Sequence, residues 1–171
     1  MRRNAPESEL SPKPTLMTQA TFQRMRERQQ KFEAERKEVT GGMREAAGRI
    51  GQWHDSFAYE QAQRDADLLA RQIFDIREKL KNVEFIKPRQ ETDKVGIGNA
   101  VRLRYRDGEE EEITILGPND YNYGDNPSWF PYTSPLAQAI MGHGKEESVG
   151  YQAAEKEFEV TILDIKPGEF E

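Results

Sequence analysis

Apolar residues recur at alternating steps of three and four through the first half of the chain. Behind Thr18, a candidate N-cap, the stripe runs Phe22, Met25, Gln29, Phe32, Arg36, Val39, Met43, Ala46 and Ile50, the spacing of a heptad seam on one helix face. A second stripe, Tyr59, Ala62, Ala66, Leu69, Ile73, Ile76, Leu80 and Val83, repeats the pattern. The stripes match in antiparallel order. Pairing Phe22 with Val83 brings Met25 opposite Leu80, Gln29 opposite Ile76 and Phe32 opposite Ile73. Further along, Arg36 meets Leu69, Val39 meets Ala66, Met43 meets Ala62 and Ala46 meets Tyr59. Layers that agree without a slip predict an antiparallel coiled-coil hairpin whose midpoint falls between Gln52 and Trp53. Helices of about 33 residues would each span roughly 50 Å. Gly41-Gly42, at about 1 kcal/mol each relative to alanine, predicts a kink or loosened turn. Arg36 is expected to lay its stem along the seam with its head in water.

Beyond Pro88 the period becomes two. Val101, Leu103 and Tyr105 alternate with Arg102, Arg104 and Arg106, and Glu110-Glu111-Glu112-Ile113-Thr114-Ile115 alternates after Asp107-Gly108-Glu109. A three-residue loop at 107–109 would pair Val101 with Ile115, Leu103 with Ile113, Arg104 with Glu112 and Arg106 with Glu110, matching apolar groups on one face and opposite charges on the other. Gly117-Pro118-Asn119-Asp120 reads as a turn and residues 121–132 as an aromatic loop. Ser134 and Pro135 start a short helix that Gly142 stops, and residues 158–165 form a last strand. The class is α+β: a helical hairpin at 17–87, with its tip near 51–56, then a small antiparallel β domain with one short helix at 88–171.

Composition supports two unlike parts. Of 171 residues, 35% are apolar and 33% charged, with a mean hydropathy of −0.93, so one well-filled core along the whole length is not expected. Residues 17–87 carry 14 basic and 12 acidic side chains, whereas residues 88–171 carry 8 and 17, a net −9 that disfavours a nucleic-acid chaperone. The absence of cysteine excludes disulfides, thiolate nucleophiles and cysteine-bound zinc, and two histidines leave little for a metal cage. No run approaches the roughly 18 apolar residues of a membrane span. A cytoplasmic monomer without membrane contact is expected, preceded by a disordered, proline-bearing tail at 1–16.

No nucleophile, base and orienting group stand together. Gly96-Ile97-Gly98 lacks the third glycine of a dinucleotide site and reads as a turn before a strand. His143 reads as a loop residue, and Glu109–Glu112 are explained by cross-strand pairing. The hairpin tip, Gly51-Gln52-Trp53-His54-Asp55-Ser56, concentrates an indole, an imidazole and a carboxylate. It has two readings: Trp53 inserts into a partner, or Asp55 or Ser56 caps the second helix while Trp53 folds onto Ile50 or Phe57. Arg44, Arg49 and Arg64 either attract RNA phosphates or form an ordinary solvated face.

Over residues 17–166 the chain resembles the Gre transcript-cleavage factors of bacterial RNA polymerase. The matching segments are Met17-Thr18, Val95-Gly96-Ile97-Gly98, Ile115-Leu116-Gly117-Pro118, Ser134-Pro135-Leu136-Ala137 with Ala139-Ile140-Met141-Gly142, and Val160-Thr161-Ile162-Leu163-Asp164-Ile165. The resemblance implies an FKBP-like second domain that docks at the polymerase secondary channel, and a hairpin that reaches the nascent RNA 3′ end of backtracked complexes. It further implies that tip carboxylates share a Mg²⁺ with the polymerase, which hydrolyses its own transcript, so that the chain is not itself an enzyme. The family tip is Gly-Asp-Leu-Ser-Glu-Asn-Ala-Glu-Tyr. Here Gly51 and Tyr59 match, Asp55 stands for the glutamate and Gln52 for the aspartate. Asp55 is then the candidate catalytic and metal-contacting residue, with Gln52, Trp53, His54, Ser56, Arg44, Arg49 and Arg64 contacting channel or RNA. Stimulated cleavage and mere occupation of the channel both remain open, and a reading from another class is a peptidyl-prolyl isomerase or protein-binding module with a coiled-coil arm.

Overall fold

The computed structural model describes residues 13–48 and 56–170. They form two units, one of residues 19–81, the other of residues 82–170 together with 13–18.

The first unit is a pair of helices, α1 (Gln19–Gly48) and α2 (Ser56–Lys79), packed against each other. Their buried side follows the expected seam. Met25, Ala66, Leu69, Ile73 and Ile76 are buried, and Phe22, Gln29, Phe32, Val39, Met43 and Ala62 are half-buried. Each large aliphatic among the buried groups contributes about 1.5–3 kcal/mol by leaving water. Arg77 Nη2 donates to Glu33 Oε1 at 2.9 Å between the helices. Both side chains are exposed, so the pair adds at most about 1 kcal/mol.

Several expectations for this unit need correction. Tyr59, expected on the seam, is exposed, whereas the exposure of Arg36 is what a head in water entails. Helix α1 runs through Gly41-Gly42, so the two glycines lower its stability without ending it. At the other end α2 stops at Lys79, and Val83, expected on the seam, lies instead in strand β2 (Val83–Phe85). The backbone there is claimed by β1 (Thr15–Met17): the two strands pair in parallel with Leu16 opposite Glu84, and Thr15 N donates to Asn82 O at 2.7 Å. Thr15 and Leu16, expected in a tail, are thus strand residues, while residues 1–12 lie outside the described residues.

The second unit is built on a five-stranded sheet in the order β5-β4-β3-β7-β6. Strands β3 (Asn99–Tyr105) and β4 (Glu110–Leu116) form the expected hairpin, but its register is two residues away from the expected one. Val101 faces Ile113, Leu103 faces Glu111, Arg102 faces Glu112 and Arg104 faces Glu110. The loop is 106–108 rather than 107–109, since a three-residue hairpin loop needs its left-handed residue last, and Gly108 supplies it with φ of 92°. A slip of two leaves every side chain on its expected face.

The sheet is mixed, not antiparallel. Gly117-Pro118-Asn119-Asp120 opens helix α3 (Pro118–Tyr123) instead of forming a simple turn: Pro118 occupies the first helical position and Asp120 Oδ2 accepts from Gly117 N at 3.0 Å. The chain then lays β5 (Trp129–Pro131) parallel to β4. Helix α4 (Pro135–Ile140) starts as expected, with Ser134 Oγ accepting from Ala137 N at 3.2 Å. Strand β6 (Ser148–Ala153), not anticipated, is an edge strand antiparallel to β7 (Lys156–Pro167). Val101, Leu103, Ile113, Ile115, Leu136, Ala137, Ile140, Val160, Ile162 and Ile165 make the core between sheet and α4.

Candidate functional site

In sequence the candidate residues run from the last part of α1 into α2. The described part of α1 extends to Gly48 and that of α2 begins at Ser56, and the midpoint derived from the seam, between Gln52 and Trp53, lies outside the described residues. Arg49, Gln52, Trp53, His54 and Asp55 lie outside the described residues. Arg44 belongs to the last part of α1, and Ser56 is the first residue of α2. In sequence Asp55 directly precedes that first helical residue, where carboxylates commonly serve as N-caps.

Arg64 is exposed on α2, and its Nη2 lies 3.4 Å from Glu60 Oε2. One turn of helix therefore offsets its charge locally, which makes it a weaker phosphate attractor than its position suggests. Phe57 and Tyr59, just beyond the connection, are 73% and 47% exposed. Phe57 carried no signal of its own, because an aromatic one position off the seam looks like any surface residue. Among the described residues no three His, Asp or Glu side chains are grouped to hold a metal ion.

At the start of the hairpin the polar arrangement is fully defined. Asp120 is buried, and its Oδ1 accepts from Thr18 N at 2.9 Å and from Thr18 Oγ1 at 2.8 Å. A carboxylate thereby gathers the residue that precedes α1 and the Gly117 amide that starts α3. Gly117 permits this closeness, since a Cβ there would sit 2.0 Å from Leu16 O. Asn99 plays a similar part below β3. Its Oδ1 accepts from Gly96 N at 2.9 Å, and its Nδ2 donates to the carbonyls of Arg89, Glu91 and Lys166.

On the surface of the second unit, His143 Nδ1 lies 2.6 Å from Glu147 Oε2, and Lys145 Nζ lies 2.6 Å from Asp164 Oδ1. His143 is in the loop after α4, as expected. The first pair lies within the 142–147 segment, the second ties it to β7, and the two assemble no reactive set.

Comparison with known proteins agrees with the residue pattern. Residues 90–167 match the family "Transcription elongation factor, GreA/GreB, C-term". The chain is 31% identical over 134 residues to the transcription elongation factor GreA of Mycoplasmopsis agalactiae, covering 77% of this chain and 80% of that protein. It is 28% identical over 160 residues to the GreA of Chloroflexus aggregans, covering 92% and 100%. Among solved structures, GreA factor homolog 1 of Thermus thermophilus aligns over 90% of this chain and 99% of its own, with 19% identity and a TM-score of 0.41.

Proposed function

Since the chain belongs to the GreA/GreB family of transcription elongation factors, we propose that it binds bacterial RNA polymerase, inserts α1 and α2 as a coiled coil into the secondary channel, and modulates backtracked complexes. The observation that carries this reading is the packing of α1 against α2 along one buried seam, with Asp55 the single carboxylate among residues 49–55 that lie between them in sequence. In it the second unit, taken as FKBP-like, docks at the channel rim. Gln52, Trp53, His54 and Ser56 meet the channel wall or the RNA 3′ end. Arg44 and Arg49 add positive charge near the extruded phosphates. The chain assists hydrolysis by the polymerase and carries no active site of its own.

The donor set at the connection suits a minor share of a Mg²⁺ site. This ion takes one or two protein carboxylates and keeps several waters, so Asp55 would hold it jointly with the polymerase, and the Gln52 amide oxygen would be a neutral, weaker ligand. When bound, such an ion activates water and offsets developing negative charge. What this chain contributes is position: a carboxylate delivered at the end of a stiff helical pair.

Gln52 favours a second reading, in which the protein occupies the channel without aiding hydrolysis, because an amide brings no charge to the ion. The two readings share their geometry. A photoreactive phenylalanine analogue in place of Trp53 should crosslink to the channel interior or to the RNA 3′ end of a stalled, backtracked complex. Polymerase binding with crosslinks confined to the outer surface would refute insertion.

A further inference from the structure

The face of the sheet that carries the core continues past the end of α4 as an uncovered groove. By alternation from Val101 and Leu103, Tyr105 is on this face, as is Glu111, which precedes Ile113 by two. Tyr151 and Phe158 are opposite each other in the β6–β7 hairpin, two residues from the Val149–Val160 pair, and so share the same face. The four residues line one groove of about 1220 Å³, open between the β3–β4 and β6–β7 hairpins.

Its floor is aromatic. Tyr151 and Phe158 are stacked with centroids 5.3 Å apart and planes 18° off parallel, and Gly150 adds no side chain. Tyr105 Oη donates to Glu111 Oε2 at 2.8 Å. Burial first, and then Glu111, pushes the Tyr105 hydroxyl well above its ordinary range, and burial also raises Tyr151. Both hydroxyls therefore stay neutral at physiological pH. The rim is acidic: Asp107, Glu109, Glu111, Glu157 and Glu159 line the groove against one basic lining residue, Arg106. Aromatic faces beside carboxylates attract cations, and a planar guanidinium gains both stacking and bidentate hydrogen bonds. The same charge repels nucleic acid.

We infer that this groove is a docking surface for an arginine-bearing segment of a partner protein, stacked on the aromatic face of Tyr151 and Phe158 and held by Glu109 and Glu111, which alternate onto the same face. The extent of the groove suits a short peptide rather than a single side chain. Charge complementarity selects the occupant, and the inference does not depend on insertion of the hairpin into the polymerase.

The test uses the full chain and fluorescein-labelled hexa-arginine, followed by anisotropy, with hexa-lysine and spermine as competitors and a labelled single-stranded RNA titrated separately. Hexa-arginine should bind best, and the combined Glu109→Gln and Glu111→Gln variant should weaken it by about tenfold, the loss of roughly 1.4 kcal/mol. Combined Glu146→Gln and Glu169→Gln, the same charge change away from the groove, should leave binding within about twofold. Phe158→Leu should erase the preference for arginine over lysine while the melting curve still shows a folded protein. Equal weakening by both double variants, equal competition by spermine, or RNA bound as tightly as hexa-arginine would overturn the proposal.

Discussion

Asp120 and Thr18, 102 residues apart, meet through three polar atoms: Asp120 Oδ1 accepts both the backbone N–H and the hydroxyl of Thr18, at 2.9 and 2.8 Å. The other oxygen accepts from Gly117. A buried carboxylate with several donors costs most when it is removed, because each donor is stranded away from water.

Asp120→Ala should therefore destabilise the second unit by about 3 kcal/mol, read as a shift of the urea midpoint at constant slope. Asp120→Asn keeps one acceptor and should fall between alanine and the parent. An alanine variant as stable as the parent would show that water replaces these bonds.

The β6–β7 hairpin turns through Ala154 and Glu155, both in the left-handed region with φ of 47° and 65°. Two such residues in succession suit a type I′ turn, for which Asn-Gly is preferred, whereas a residue with a Cβ is strained there by roughly 1–2 kcal/mol. Ala154→Asn with Glu155→Gly should stabilise the protein by about 1–2 kcal/mol, raising its melting temperature. No gain would mean that the turn relaxes in solution.

These details show what a sequence can and cannot convey. The seam at Met25, Leu69, Ile73 and Ile76 was legible because a period of 3.5 is repeated across two segments that check each other. Strands β1 and β2 were not legible: three-residue strands have no period, and the seam pattern continued formally into Val83. The β3–β4 register was missed by two because charge pairing fits both alignments, and the φ of Gly108 decides between them. Asn99 and Asp120 gave no signal, since a buried polar residue is defined by partners far along the chain. The groove beside Tyr105 was hidden for the same reason, as Tyr151 and Phe158 lie on an edge hairpin whose first strand went unrecognised.

The surface pairs predict a pH dependence. Asp164 is held below its ordinary range first by the hydrogen bond from Lys145, and Glu147 first by the one with His143. A depressed folded value means that the unfolded chain takes up protons first, so both pairs stabilise fully above the ordinary carboxylate range and lose their effect as pH falls through the depressed values. The stability difference between the parent and Lys145→Ala should be present at neutral pH and shrink below about pH 4. Urea denaturation at several pH values measures it. A difference unchanged by acid would show that Lys145 acts through packing alone.

The connection between α1 and α2 carries the functional prediction. Asp55 is the single acid among residues 49–55, and Gln52 offers an oxygen without charge. If Asp55 shares an ion with the polymerase, adding a second carboxylate nearby should strengthen that hold more than any change farther along the helices. Gln52→Asp should accelerate RNA shortening in a stalled, backtracked complex by at least about tenfold, the effect of roughly 1.4 kcal/mol in the barrier. Asp55→Ala should abolish any shortening that the parent stimulates and still compete with it for polymerase. Neither residue is a seam position, and a cap lost with Asp55 would lower the melting temperature without weakening competition for polymerase, so loss of activity with competition retained would report chemistry and not folding. Equal cleavage by the parent and Asp55→Ala would remove Asp55 from the metal site. A parent without activity that gains it through Gln52→Asp would identify a channel occupant whose missing charge is the whole difference.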